Sequence, residues 1–274
     1  MAAILREAFY IMTLTLLSLL LPLSFLLLAR LSATQYVMAL IPSPPPQASL
    51  LISFFLQTNP SVLHAILSVV SMATLLHGLL GGTSLSSQSA RDNTSILILK
   101  PRLHLAWILL CTLQICVGLG VEGVVASGVL PVDYDEETGI LASLCRIVFF
   151  IGLHESMLHW FRIVVKPVAD DTIFGFFKEE RLVEKVAVGL SFGYLWWWRL
   201  RGEVGVLVHI VQFKKQLSKG VGVADIVSWW LYYLTVIIGM VRIVNGFIWA
   251  GKVLLCRKPE DQDPCVSHVD IDNV

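Results

Sequence analysis

Long apolar runs dominate the pattern of hydrophobic and polar positions along this chain. A membrane-spanning helix needs about 20 predominantly apolar residues. Five runs have this character, at residues 8–28, 61–80, 103–130, 140–165 and 223–256. We therefore predict an all-α fold, a multi-pass transmembrane helical bundle with about five spans and with four to six as the bounds of that count.

Residues 166–222 interrupt this pattern. Their two apolar runs are each too short to span, and charged residues flank both. We predict amphipathic helices on the cytosolic face of the membrane here, and a single tilted span enclosing Arg199 is the alternative. The chain then divides into a four-span region at 1–165, this amphipathic segment, the last span at 223–256 and a polar tail at 257–274.

The composition agrees with a lipid-facing surface. Hydrophobic residues make up 56% of the chain and charged residues only 15%, whereas soluble domains are about 25% charged. The mean hydropathy is +0.75. These values exclude a soluble enzyme and make the lipid bilayer the first partner. The formal net charge of zero gives no electrostatic footprint for nucleic acid.

Lysine and arginine are unevenly distributed among the loops. Residues 81–102 and 166–222 are rich in both, whereas loop 131–139 contains neither. Because cytosolic loops carry the excess of positive charge, we place the first two segments in the cytosol and the third on the luminal side. Five spans would then leave the basic residues after the last span in the lumen, against the same rule. A sixth span within 182–213 would remove that conflict.

Two oppositely charged residues lie at matched depth in the third and fourth spans. Glu122 stands about eight residues before the intervening loop, and Arg146 about seven residues after it. In a tight helical hairpin they would face each other. We predict either a structural ion pair or a permeation path that Glu122 lines and Arg146 tunes, because ionisable residues inside spans are functional candidates.

Small residues predict close helix contacts in the third and last spans. Gly123 and Ser127 stand four residues apart, and Gly239, Gly246 and Gly251 recur along the last span. Small side chains let helix backbones approach each other in a membrane.

The fourth span carries polar residues at helical spacing. Glu155, His159 and Arg162 share one face. We predict a polar network between helices, with an ion path as the alternative. Arg242, near the middle of the last span, needs a buried partner, and Glu155 at similar depth is a plausible one.

A metal-dependent reading of the same span uses His154, Glu155 and His159. In the zinc-protease motif the two histidines stand four residues apart and share a face. Here they stand five apart, so the motif does not apply. The identity of any metal stays unknown, and no resident cofactor is indicated.

The loop between the third and fourth spans is strongly acidic, with carboxylates at Asp133, Asp135, Glu136 and Glu137. Alone it is a solvated turn. Repeated around the axis of a homo-oligomer, it would form a ring of negative charge, and such rings concentrate cations at a pore mouth.

The size, the Leu-rich first span, the Pro-rich link at 42–46 and the acidic tip together resemble the WeiTsing-like family of plant endoplasmic-reticulum membrane proteins. The resemblance covers most of the chain as an overall pattern. It implies a homo-oligomer, a pentamer, that conducts cations including calcium across the endoplasmic-reticulum membrane rather than the plasma membrane and acts in plant defence.

Three functions fit these observations. The leading hypothesis is an oligomeric cation channel of a eukaryotic internal membrane, with calcium as the permeant ion. The first alternative is a non-conducting membrane scaffold or adaptor that recruits partners through residues 166–222. The second alternative is an intramembrane metal-dependent enzyme.

Overall fold

The computed structural model describes residues 1–40, 61–80, 100–126, 140–176, 179–203, 207 and 222–256. Within these residues the secondary structure is helical, without strands. The helices are α1 (Ala2–Ser18), α2 (Leu20–Leu40), α3 (Ser61–Leu80), α4 (Lys100–Ala126), α5 (Ile140–Trp160), α6 (Lys166–Ile173), α7 (Leu182–Leu195) and α8 (Val223–Cys256). A π-helical turn at Phe161–Val165 joins α5 to α6, and another at Trp196–Leu200 extends α7 to Glu203.

Five helical stretches are long and apolar enough to cross a membrane: Ile4–Thr34, Ser61–Leu80, His104–Val124, Ser143–Ile173 and Val223–Leu254. This confirms the predicted all-α multi-pass bundle. The first span combines α1 and α2, which separate at Leu19 because Pro22 has no N–H to donate to the carbonyl of Ser18. The fourth span combines α5, the π-helical turn and α6.

The first span forms the centre of the bundle. In its most apolar stretch 67% of the residues are buried, against 17% in the third span. Helices α4, α5, α6 and α7 all pack against it. The fourth span runs antiparallel to it, since Phe25 contacts Phe149 edge-on and the Trp160 indole donates to the Leu17 carbonyl at 3.2 Å.

Helices α5 and α8 are parallel and make the most extensive contact in the bundle. Gly152 and Gly239 lie at its centre. A Cβ added to Gly152 would overlap the carbonyl oxygen of Thr235 and would lie 2.9 Å from the Gly239 nitrogen. The two backbones therefore touch, an approach that glycine permits in membrane helices. Of the residues flagged by the sequence, Gly239 takes the predicted part in a close contact.

The predicted hairpin of the third and fourth spans is not formed as a tight pair. Helix α4 packs mainly on α2 and α6, and its contact with α5 is marginal at most. Sequence neighbours need not be spatial neighbours when a more apolar partner is present, and the Leu-rich α2 offers α4 a larger apolar face.

The segment at 166–222 also departs from the predicted surface helices. Residues Lys166–Ile173 continue the fourth span. Helix α7 lies along the first span, with Arg181 ion-paired to Glu7 at one end and Glu203 ion-paired to Arg30 at the other.

Candidate functional site

Polar side chains from helices α5 and α8 meet each other and the last turn of α3. Glu155 of α5 forms an ion pair with Arg242 of α8, and the Glu155 Oε2 and Arg242 Nε atoms are 3.3 Å apart. Glu155 lies between Phe149 and Trp160, which contact the middle of the first span. The pair is therefore near the middle of the fourth and last candidate spans, Ser143–Ile173 and Val223–Leu254.

The glycine contact positions this ion pair. Glu155 follows Gly152 by three residues, and Arg242 follows Gly239 by the same spacing. Residues three apart lie on neighbouring positions of one helical face. Because the helices are closest at the glycines and parallel, the two long side chains leave the same seam one turn further on and meet.

Histidines extend the site onto α3. The rings of His77 and His159 are 5.4 Å apart, centroid to centroid. One turn beyond Arg242, the Asn245 amide nitrogen lies 3.5 Å from the Gly78 carbonyl oxygen. We call Glu155, His159, Arg242, His77 and Asn245 the central polar cluster.

The central polar cluster opens to the outside of the single chain. The Arg242 side chain is 61% exposed and Glu155 26% exposed, and Asn245 and His77 are exposed. An ionised side chain facing hydrocarbon costs at least about 2.5–3.5 kcal/mol at mid-depth. This face therefore needs water or another protein surface beside it, because the exposed apolar side chain of Trp249, two helical turns after Arg242 on the same face of α8, identifies it as membrane-embedded.

His154 does not join the cluster. Its ring stacks near Phe150 and Phe192, on the α7 side of α5. His154 and His159 thus point to different neighbours, as their five-residue spacing indicated. In the part of the chain that the structure describes, no group of three or more His, Cys, Asp or Glu side chains is placed to hold a metal ion.

Glu122 and Arg146 are not brought together. Glu122 is exposed on α4 and has no ion-pair partner among the described residues. Arg146 is half-buried on α5 and has contacts of its own. Their expected pairing fails because α4 and α5 do not pack side by side.

The four acidic-tip residues Asp133, Asp135, Glu136 and Glu137 lie outside the described residues. Arg162, the third member of the face predicted on the fourth span, lies 3.6 Å from Glu180, Nε to Oε1, and is half exposed.

Sequence reasoning missed a buried charged network where α1, α6 and α7 meet. The Tyr10 hydroxyl donates to Asp170 at 2.5 Å, and Lys166 donates to Glu184 at 2.8 Å and lies 4.0 Å from Asp170. Asp170 is fully buried, and Glu184 is 2% exposed. The spacing of Lys166 and Asp170 was the available signal, since residues four apart share a helical face.

Neither a scan against protein-family models nor searches of curated proteins and of solved structures found a match for this chain.

Proposed function

We propose that several copies of this chain assemble into a cation channel of a eukaryotic internal membrane, with the central polar cluster beside a water-filled passage. The observation that carries the proposal is the Glu155–Arg242 pair at mid-depth, whose Arg242 side chain is 61% exposed in the single chain. Lipid is an unfavourable neighbour for that charge. An assembly that brings water to this face removes the penalty.

A second outward-facing charge supports the assembly. Glu122 lies near the end of the third span, on the least buried of the candidate spans. Heterologous contacts pair two different faces of neighbouring copies and close into rings. A ring that places α4 of one copy against α3 and α8 of the next would bring Glu122 and the central polar cluster to one shared boundary.

The charges along this boundary favour cations. Glu155 neutralises Arg242, and Glu122 adds a carboxylate that has no ion-pair partner among the described residues. The acidic tip would add Asp133, Asp135, Glu136 and Glu137 from each copy. Such carboxylates concentrate divalent cations, so calcium is the permeant ion of this proposal. The resemblance to WeiTsing-like proteins supports the endoplasmic reticulum, five copies and plant defence as its finer parts.

The experiment is a recording of the purified full chain in a planar lipid bilayer with calcium and potassium gradients. We expect cation-selective current, and a wild-type protein without it would overturn the proposal. The Arg242→Gln variant leaves Glu155 uncompensated and should raise cation-over-anion selectivity several-fold. Glu155→Gln leaves Arg242 uncompensated and should lower it.

The matched control is Lys252→Gln, which removes an exposed positive charge from the same helix nearer its end. It should leave selectivity close to that of the wild type. Identical selectivity in all three variants would place the central polar cluster away from the ion path. An intact oligomer without current would instead favour a non-conducting scaffold.

A further inference from the structure

Helix α7 and its extension to Glu203 lie alongside the first span from Glu7 to Arg30. At its start Arg181 pairs with Glu7, and at its far end Glu203 pairs with Arg30. Residue numbers rise in the same direction on both sides, so the two helices are parallel. From Leu182 to Glu203 the helix contains about 22 residues and is about 33 Å long, which matches the roughly 30 Å hydrocarbon core.

The middle of α7 packs against α5 at a depth that also faces the first span. Phe192 stacks on Phe150 with centroids 5.1 Å apart, and Trp196 stacks on Phe149 at 6.2 Å. Phe149 in turn contacts Phe25, in the middle of the first span. A helix lying on the membrane surface would not reach this depth along its centre.

The exposed face of α7 is apolar and its inward face carries acids. Val186, Leu190, Tyr194 and Trp197 follow each other at helical spacing and are 49–75% exposed, whereas Glu184 is 2% exposed. An interfacial amphipathic helix has the reverse arrangement, with its charged face toward water. The remaining charges are near the ends, where long side chains reach the headgroups.

The direction of α8 gives independent evidence. Helix α8 is parallel to α3, since His64 and Ser228 are 3.0 Å apart near one end and Asn245 approaches Gly78 near the other. It is also parallel to α5, since Tyr232 stacks on Phe149 and Arg242 pairs with Glu155 further along both helices. Helix α8 therefore starts on the side where α5 starts. The chain leaves α6 on the opposite side, so it must cross the membrane once between Ile173 and Val223.

We propose that α7, with its extension to Glu203, is a sixth membrane-crossing helix, and that α1 begins and α8 ends on the same side of the membrane. This topology puts Arg257 and Lys258 together with Arg91, Lys100 and Arg102 on the cytosolic side, as the positive-inside rule requires. The luminal connection from α7 to α8 carries the smaller basic group Lys214, Lys215 and Lys219. The topology revises the cytosolic placement of the whole 166–222 segment. The connection from α7 to α8 begins and ends on the luminal side.

Thiol labelling in sealed microsomes tests the crossing. Single-cysteine chains carry Lys178→Cys, Lys219→Cys or the natural Cys265, with the other cysteines replaced by alanine. A membrane-impermeant maleimide should label residues 178 and 265 in sealed vesicles and residue 219 only after permeabilisation. The ratio of the label bound in sealed vesicles to the label bound after permeabilisation gives the side of the membrane for each position.

Labelling of residues 178 and 219 from the same side would overturn the sixth crossing. So would residue 265 labelling from the side opposite to residue 178. The result is independent of ion conduction, because a scaffold with the same topology would label identically. An unchanged elution volume of each variant on size-exclusion chromatography verifies that its bundle is intact.

Discussion

Two parallel helix pairs in this bundle are held in opposite ways. Helices α5 and α8 touch through their backbones at Gly152 and Gly239, and in the charged pair one turn away the Arg242 side chain is 61% exposed. The first span and α7 are joined by an ion pair at each end. In the buried pair, Arg30 and Glu203 are only 13% and 11% exposed.

The comparison separates structural charges from functional candidates. Where charges are buried between helices and fully paired, as at Arg30 and Glu203, the bundle itself explains them. Where backbone contact already holds the helices, the Glu155–Arg242 pair is not needed to join them. A charged pair at membrane depth that is not needed to hold its two helices together, and that stays partly exposed, is a candidate for a function on its exposed side.

Filling the glycine seam should have the largest effect on stability. Gly239→Leu places a side chain against the Val148 carbonyl and the Gly152 nitrogen. These are backbone atoms, which cannot rotate out of the way as the end of a flexible side chain can. We expect the free energy of unfolding to fall by about 3 kcal/mol or more, the upper end of overpacking costs. Denaturant titration in detergent micelles measures it.

The control for this substitution is Gly246→Leu on the same helix, where an added Cβ meets nothing within 4 Å. It should leave the unfolding free energy nearly unchanged. Equal stability of the two variants would show that the backbones are not in contact at Gly239.

Removing one partner of the buried Arg30–Glu203 pair should have the second-largest effect on stability. Arg30→Met leaves the Glu203 carboxylate largely buried without its cation, which should cost up to about 3 kcal/mol, the lower end of the range for buried pairs, because that side chain is still 11% exposed. The double variant Arg30→Met with Glu203→Leu removes both charges and should recover most of that loss, because apolar replacements of a buried pair are often neutral. A double-mutant cycle in the same titration measures the recovery. A double variant no more stable than Arg30→Met would contradict a direct pair.

The sequence predicted the five long apolar helices because bilayer thickness demands long apolar runs, and these are visible without any partner. It also offered Glu155 as a partner for Arg242 from their depth alone. It could not place α4 against α2 instead of α5, because several apolar faces of similar character compete for one neighbour. Helix α7 was read as a surface element because Glu184 and Glu203 look like solvent-facing charges until their partners Lys166 and Arg30 are known.

Gly152 carried a sequence signal that was overlooked. Ser156 follows it by four residues on α5, the same small-residue spacing as Gly123 and Ser127. Only the approach of α8 at Thr235 and Gly239 reveals why a side chain is excluded there.

The smallest effect should come from the exposed ion pair between α7 and the first span. Arg181 and Glu7 are 54% and 43% exposed, so water screens their attraction. We expect Arg181→Gln to lower the free energy of unfolding by no more than about 1 kcal/mol, in the range of surface pairs. The same substitution at the buried end, Arg30→Gln, removes a charge from a carboxylate that is 11% exposed and should cost several times as much. Equal losses at both ends would mean that burial does not distinguish them, and the distinction between buried structural pairs and exposed ones would fail.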